Sequence, residues 1–289
     1  MSRGSVESLG PSPAPRLMGV VNMTPDSFSD GGNYNNLELA LQHCRQLVAE
    51  GASILDIGGE STRPGAARVP VEQEIQRVVP LIQTLVAADW FIASGAQISC
   101  DTMNAQTALA AVSAGAHFIN DVSGGKADPA MLEAVASTEA HFILSHWRGF
   151  SDQMDQLNQY SDVAIDVAAE IARQLEVAVA AGISRDRIII DPGLGFAKIG
   201  DQNWQLLAGL QHLQKLGLPI LIGASRKRFL AATLNPGDPA SVNNERRDLA
   251  TAVLTGRLAN LGIWGFRVHN VAASRDALSL AAALQVAGN

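Results

Sequence analysis

Cysteine is almost absent from this chain. Two in 289 residues, Cys44 and Cys100, are too few and too far apart for a disulfide framework or a zinc site. Aromatics make up 5% of the residues, so a core must be built mainly from aliphatic side chains. No apolar run is long enough to cross a bilayer, and the first fifteen residues lack the apolar stretch of a secretory signal. They carry Pro11, Pro13 and Pro15 among serine and glycine and read as a flexible tail, residues 1–15, ahead of one domain at 16–289. Arg3 and the serines hint at an organelle presequence, but Glu7 argues against it, and cytoplasmic residence is the economical expectation. Positive charge is in deficit: 21 Lys and Arg against 28 Asp and Glu leave a formal net charge of -7, which gives no support for nucleic-acid binding. No glycine-rich dinucleotide turn follows the first apolar run, which weakens the case for an open doubly wound sheet.

What is present is alternation. Short aliphatic runs at Leu17–Val21, Ser53–Ile57, Gln97–Ser99, His117–Ile119, His141–Leu144, Arg187–Ile190, Pro219–Ile222 and Trp264–Val268 predict strands. Between them lie stripes at helical spacing: Leu37, Leu41 and Val48; Ile75, Val78, Val79, Ile82 and Leu85; Ile171, Leu175 and Val179 within Ala164–Ala181. Gly51, Gly115, Gly182 and Gly217 stand where left-handed helix caps precede the next strand, and Asp128-Pro129 reads as an N-cap followed by proline. Gly51–Asp56 is echoed at Gly115–Asn120. Eight strand–helix units at this length predict a single (β/α)8 TIM barrel of parallel strands, with its active site at the strand C-terminal ends.

Against the acidic background, Arg226, Lys227 and Arg228 follow the buried run ending at Ile222. Such a stretch is either a solvated turn or an anion clamp at a strand end. The other strand ends favour a site. They carry Asn22, Asp56, Asp101, Asn120 with Asp121, His146, Asp191, and Arg267 with His269. One strand-end Asp often only caps a helix, but eight polar ends converging on one mouth point to a ligand. Asp101, Asn120 and Asp191 are acceptors suited to a planar heterocycle with an exocyclic amine and a ring N–H. Lys227, Arg267 and His269 are donors, and Arg and His one residue apart on one strand face suit a phosphate-type anion. Asn22 is a neutral ligand for a metal–phosphate group. Long loops at Met23–Gly32 and Gly58–Ala66 are candidate lids, with Phe28 and Arg63 as their ligand-facing members. Asp191–Phe196 forms a third turn in which Gly193 and Gly195 permit positive φ.

Seven motifs in order, MGVVNMTPDSFSDGG, DIGGESTRPGA, ISCDT, INDVSGG, DPGLGFAK, GASRKRFL and RVHNV, closely resemble dihydropteroate synthase from about Leu17 to the last helix. The variants HWRG and GASRKRFL look most like the actinobacterial branch. The resemblance implies condensation of 6-hydroxymethyl-7,8-dihydropterin diphosphate with p-aminobenzoate to 7,8-dihydropteroate and pyrophosphate, in folate biosynthesis. It implies that Asp191, Asn120 and Asp101 bind the pterin, with Lys227 on its other edge. Asn22, Arg267 and His269 would hold the diphosphate, Asn22 also ligating Mg2+. Asp26, Phe28, Thr62 and Arg63 would come from the early loops, and Phe196 would line the aminobenzoate pocket. Asp101, Lys227, Arg63 and Asp26 are the implied catalytic groups. The family relation also implies a homodimer and inhibition by sulfonamides.

Two positions depart from the family pattern: Asn270 where many members have Asp, and Arg228 where many have Ser. Two other readings compete. A methyltetrahydrofolate–corrinoid methyltransferase shares the pterin ring but has no need of Arg267 or His269. A non-catalytic pterin-binding paralogue would bind without turnover.

Overall fold

The computed structural model describes residues 14–23, 33–60, 68–150 and 156–288. The polypeptide runs β1 Arg16–Asn22, α1 Asn33–Glu50, β2 Ile54–Gly58, α2 Val71–Val86, α3 Asp89–Ser94, β3 Gln97–Asp101, α4 Ala105–Ala114, β4 Phe118–Asp121 and α5 Met131–Ala136. It continues β5 His141–Ser145, α6 Val163–Ala180, β6 Ile188–Asp191, α7 Gln202–Ala208, α8 Gln211–Gln214, β7 Leu221–Ile222, α9 Arg228–Leu234, α10 Asn244–Leu258, β8 Gly265–Val268 and α11 Val271–Ala287. All pairings are parallel, in the order β6-β5-β4-β3-β2-β1-β8-β7. A parallel bridge from Ile190 to Ile220 joins the two ends, so the expected barrel closes. β7 is shorter than its predicted span because Pro219 has no N–H to give; its carbonyl accepts from Ile190 N at 2.9 Å instead.

Strand alternation divides the apolar residues into two cores. Met18, Ile54, Phe118, Ile143, Ile189, Leu221 and Trp264 fill the barrel. Their neighbours, including Leu55, Ile98, Cys100, Ile119 and Ile190, face the helices. Cys100 is thus fully buried in the outer shell while Asp101 takes the inner face. Phe118 is the hub of the interior, stacking on His141 at 5.0 Å and tilting against Trp264 at 6.0 Å.

Left-handed caps appear at Gly51 (φ 109°), Gly115 (φ 118°), Gly182 (φ 103°) and Gly217 (φ 67°), as the sequence predicts. Two local expectations fail. Val179 is exposed and Ala178 takes its place in the buried stripe of α6, because the stripe drifts with the 3.6-residue period. Asp128 does not cap α5. One carboxylate oxygen accepts Ala130 N at 2.9 Å, and the other reaches Ala105 N at 2.8 Å at the start of α4. The tail expected at 1–15 lies almost wholly outside the described residues. Among the described residues no helix is long and apolar enough to cross a membrane.

Removing the hub tests the interior packing. Phe118→Ala is expected to lose about 3–5 kcal/mol in urea unfolding; a loss below about 1 kcal/mol would show that the barrel interior is loosely filled.

Candidate active site

Inward parity places Asp56, Asp101, Asn120, Asp191 and Arg267 in one layer above the apolar plug. The four acceptors are each buried to at least nine-tenths. Arg267 binds them together: its Nε donates to Asp56 Oδ2 at 2.6 Å and a terminal nitrogen to Asp101 Oδ2 at 2.7 Å. Asn120 Nδ2 donates to the same Asp56 oxygen at 3.0 Å. Asp56 stands in the strand-end census without an assigned ligand role, yet it anchors two residues that have one. The missed signal was charge balance. An inward arginine at a barrel mouth needs a buried counter-ion, and Asp56 shares its parity.

Charge crowding sets the protonation of this layer. Burial raises the Asp101 carboxyl to about 7; Arg267 opposes the shift and Asp56 reinforces it. Two carboxylates share one guanidinium, so the second has less to gain from ionising. Burial pulls Arg267 down, but Asp56 and Asp101 more than reverse this and hold it charged. Burial also raises Asp191, against the pull of Lys227 and of Gly193 N–H, which donates to Asp191 Oδ1 at 2.6 Å. A Cβ on Gly223 would lie 3.3 Å from Asp191 Oδ2, so that glycine leaves the carboxylate room.

The basic stretch separates into distinct jobs. Arg226 has φ 60° and forks onto Asp248 of α10 at 2.8 and 2.7 Å, which makes it a structural tie. Lys227 turns inward. Its Nζ donates to Leu194 O and lies 4.5 Å from the Phe196 ring centroid, and burial lowers its pKa to about 8 against the pull of Asp191. Arg228 is exposed at the start of α9. Ser225 accepts His269 N–H at 3.1 Å and meets His269 Nδ1 at 2.9 Å. With Ser225 donating its O–H to Nδ1, Nε2 carries the ring hydrogen and can donate to an anion. Asn270 caps α11, accepting Ala273 N at 2.9 Å; Asn caps about as well as Asp, so this departure keeps its local job.

Not every strand end serves the mouth. Asp121 faces outward and holds its own turn, accepting Ser123 N and Oγ at 2.7 Å each and Gly125 N at 2.8 Å. His146 also points away, between Glu170 and Lys198. Asn22 ends β1 on the inward parity, in register with Gly58. Asp26, Phe28, Thr62 and Arg63 lie outside the described residues.

Among the described residues no group of three or more His, Cys, Asp or Glu could hold a metal ion. A carboxamide oxygen at Asn22 nonetheless suits Mg2+, which commonly takes one or two protein oxygens and completes its shell with phosphate and water. The arrangement as a whole can hold an amine-rich heterocycle among acceptors and an anion beside Arg267 and His269.

The family model described as pterin binding enzyme matches residues 18–269. The chain is 46% identical over 274 residues to the dihydropteroate synthase of Mycobacterium leprae (strain TN), covering 94% of each chain. It is similar to the structure of Xanthomonas albilineans dihydropteroate synthase with 4-aminobenzoic acid: TM-score 0.84, 42% identity, 94% of each chain covered. The same organism's enzyme in complex with 7,8-dihydropteroate matches with a TM-score of 0.82 and 39% identity, covering 98% of this chain and 97% of that one. A pterin-binding match across the whole barrel, with such identity over nearly the full length of both chains, means that this chain belongs to the dihydropteroate synthase family.

Proposed function

We propose that this transferase condenses 6-hydroxymethyl-7,8-dihydropterin diphosphate with p-aminobenzoate, releasing pyrophosphate and forming 7,8-dihydropteroate. The observation that carries the reading is the layer in which Asp101, Asn120 and Asp191 face Arg267 and Lys227 across one mouth. Asp191 takes the amino-pyrimidine edge, Asn120 and Asp101 the same ring, and Lys227 the opposite edge. His269 and Arg267 hold the diphosphate. Arg267 carries two roles, because the nitrogen now on Asp101 is the one an arriving anion would compete for. Phe196, held beneath Lys227, lines the aminobenzoate pocket, where sulfonamides would compete. Thr62, Arg63, Asp26 and Phe28 complete the site on the family pattern.

The bond from the pterin methylene carbon to the diphosphate oxygen breaks, and the oxygen leaves with the electron pair. Asp101 faces the cation left on the pterin, where a buried carboxylate is worth more than in water. The arylamine nitrogen then bonds to the methylene carbon and gives up a proton, for which the departed diphosphate is the acceptor at hand. Mg2+, when bound through Asn22, supplies charge neutralisation on the diphosphate. No protein nucleophile is needed.

We also place the protein in the cytoplasm, consistent with two buried, unpaired cysteines, and infer that it works as a homodimer. The support is an apolar face on the packed pair α10 and α11, where Leu249, Val253, Leu280, Leu284 and Val286 are all at least 60% exposed. The pairs 249/253 and 280/284 are each one helical turn apart, so they form stripes rather than scattered positions.

Three experiments check these readings. Pyrophosphate release should require both substrates and Mg2+; no release would overturn the activity, and release surviving chelation would overturn the metal assignment. Its kcat/KM for the pterin should be bell-shaped, rising as Asp101 ionises near 7 and falling as Lys227 deprotonates near 8. For the dimer, Leu249→Glu with Leu280→Glu should sediment as a monomer; an unchanged dimer would place the interface elsewhere.

A further inference from the structure

The loop between β6 and α7 lies between two lysines, and the second has no part in the chemistry above. Lys198 is 3% exposed. Its Nζ meets His146 Nδ1 at 2.9 Å, Gly193 O at 3.0 Å and Phe196 O at 3.0 Å. An ammonium has three hydrogens and finds three acceptors here; a neutral amine would turn its lone pair on one of them. Burial and the charge of Lys227 pull its pKa down and Asp191 pulls it up; the three acceptors, none of them a carboxylate, are the direct support the ammonium has here.

That cage is braced from outside the barrel. Burial holds His146 neutral, with its pKa lowered to about 3. Since Nδ1 accepts from Lys198, Nε2 carries the hydrogen and donates to Glu170 at 3.0 Å. Glu170, on α6, is fixed by Arg148 through contacts of 3.1 and 2.5 Å. A rigid line therefore runs from α6 through the end of β5 to Lys198.

Inside the loop, Gly193 (φ 65°), Gly195 (φ 75°) and Ala197 (φ 51°) alternate in the left-handed region. The alternation sends neighbouring carbonyls to opposite lysines: Gly193 O and Phe196 O to Lys198, Leu194 O to Lys227. Substitution room is absent at Gly193 and tight at Gly195. A Cβ on Gly193 would come within 2.2 Å of His146 O, and one on Gly195 within 3.0 Å of Lys227 Cδ. Ala197, a left-handed alanine, is held by Tyr160, whose hydroxyl donates to its carbonyl at 3.0 Å.

We propose that Lys198 is a positioning residue for the reaction: its caged ammonium fixes the Leu194 carbonyl and the Phe196 ring, and through them the place of Lys227 at the pterin edge. The proposal rests on the assignment of Lys227 to that edge. Lys227 also faces Asp191, Asp101 and Arg267, and these stay unchanged in the test.

The test is binding of a phosphate-free 7,8-dihydropterin, measured by calorimetry across the alkaline range in wild type, Lys227→Met, Lys198→Met and Lys198→Gln. In wild type the affinity should fall as Lys227 loses its proton near 8. Lys198→Met frees the loop, rehydrates Lys227 and removes a neighbouring positive charge, so that midpoint should move up toward the ordinary lysine value of 10.5. Affinity at neutral pH should drop about tenfold. Lys198→Gln removes the same charge but keeps two donors for the loop carbonyls, so its midpoint should fall between. Equal shifts in the two variants would mark lost charge alone and overturn the proposal. If Lys198→Met does not fold, wild-type affinity of Lys198→Gln at neutral pH overturns it. A general loss of stability would lower the melting temperature without moving the midpoint, so an unchanged midpoint overturns the proposal. An alkaline limb that survives Lys227→Met would instead overturn the pterin-edge assignment.

Discussion

The guanidinium of Arg267 lies between the buried carboxylates of Asp56 and Asp101, and the upper layer of the barrel depends on it. Burying a carboxylate without a partner costs several kcal/mol, on the order of what holds a whole domain together. Here three aspartates, 56, 101 and 191, are buried in one ring against Arg267 and Lys227. Asp56 and Asp101 share a single guanidinium, and the shortage appears where it is useful. Asp101 holds its proton to about 7, and so stands ready to become an anion when a cation or an N–H edge arrives.

The same economy explains why the basic stretch that interrupts an acidic chain is not one clamp. Arg226 is drawn outward to Asp248, Ser225 sets the hydrogen of His269, and Lys227 alone turns to the acceptors. The fold makes this division through a left-handed residue at Arg226, which swings consecutive side chains to different neighbours. Arg228, exposed at the first turn of α9, stands where many family members carry a serine hydroxyl.

Most of the barrel was legible in the sequence because period and punctuation agree. Eight aliphatic runs alternate with helical segments, four glycines take left-handed caps before the next strand, and all eight strands lie where the runs stand. The strand-end census puts Asp101 at the mouth, and strand alternation turns its neighbour Cys100 into the outer shell. What escaped was decided by tertiary partners. Asp128 reads locally as a cap for α5 but is captured by α4; Asp121 and His146 stand at strand ends but serve turns outside the mouth. Asp56 stands at a strand end and Lys198 lies in the DPGLGFAK motif, but nothing local gives either a role. Their jobs exist only because Arg267 and residues 193–196, distant or turned back in the chain, come to meet them. Residues 24–32 and 61–67, which hold Asp26, Phe28, Thr62 and Arg63, fall outside the described residues.

The central claim is that Arg267 stabilises the site by compensating buried carboxylates. The most direct measurement is urea unfolding at neutral pH of Arg267→Met and Asp56→Leu, each alone and then combined. Arg267→Met alone should lose about 3–5 kcal/mol, because it leaves two carboxylates buried without their counter-charge. Adding Asp56→Leu should restore part of that loss, making the double variant more stable than the single one. A double variant destabilised by the sum of the two separate losses would contradict the claim.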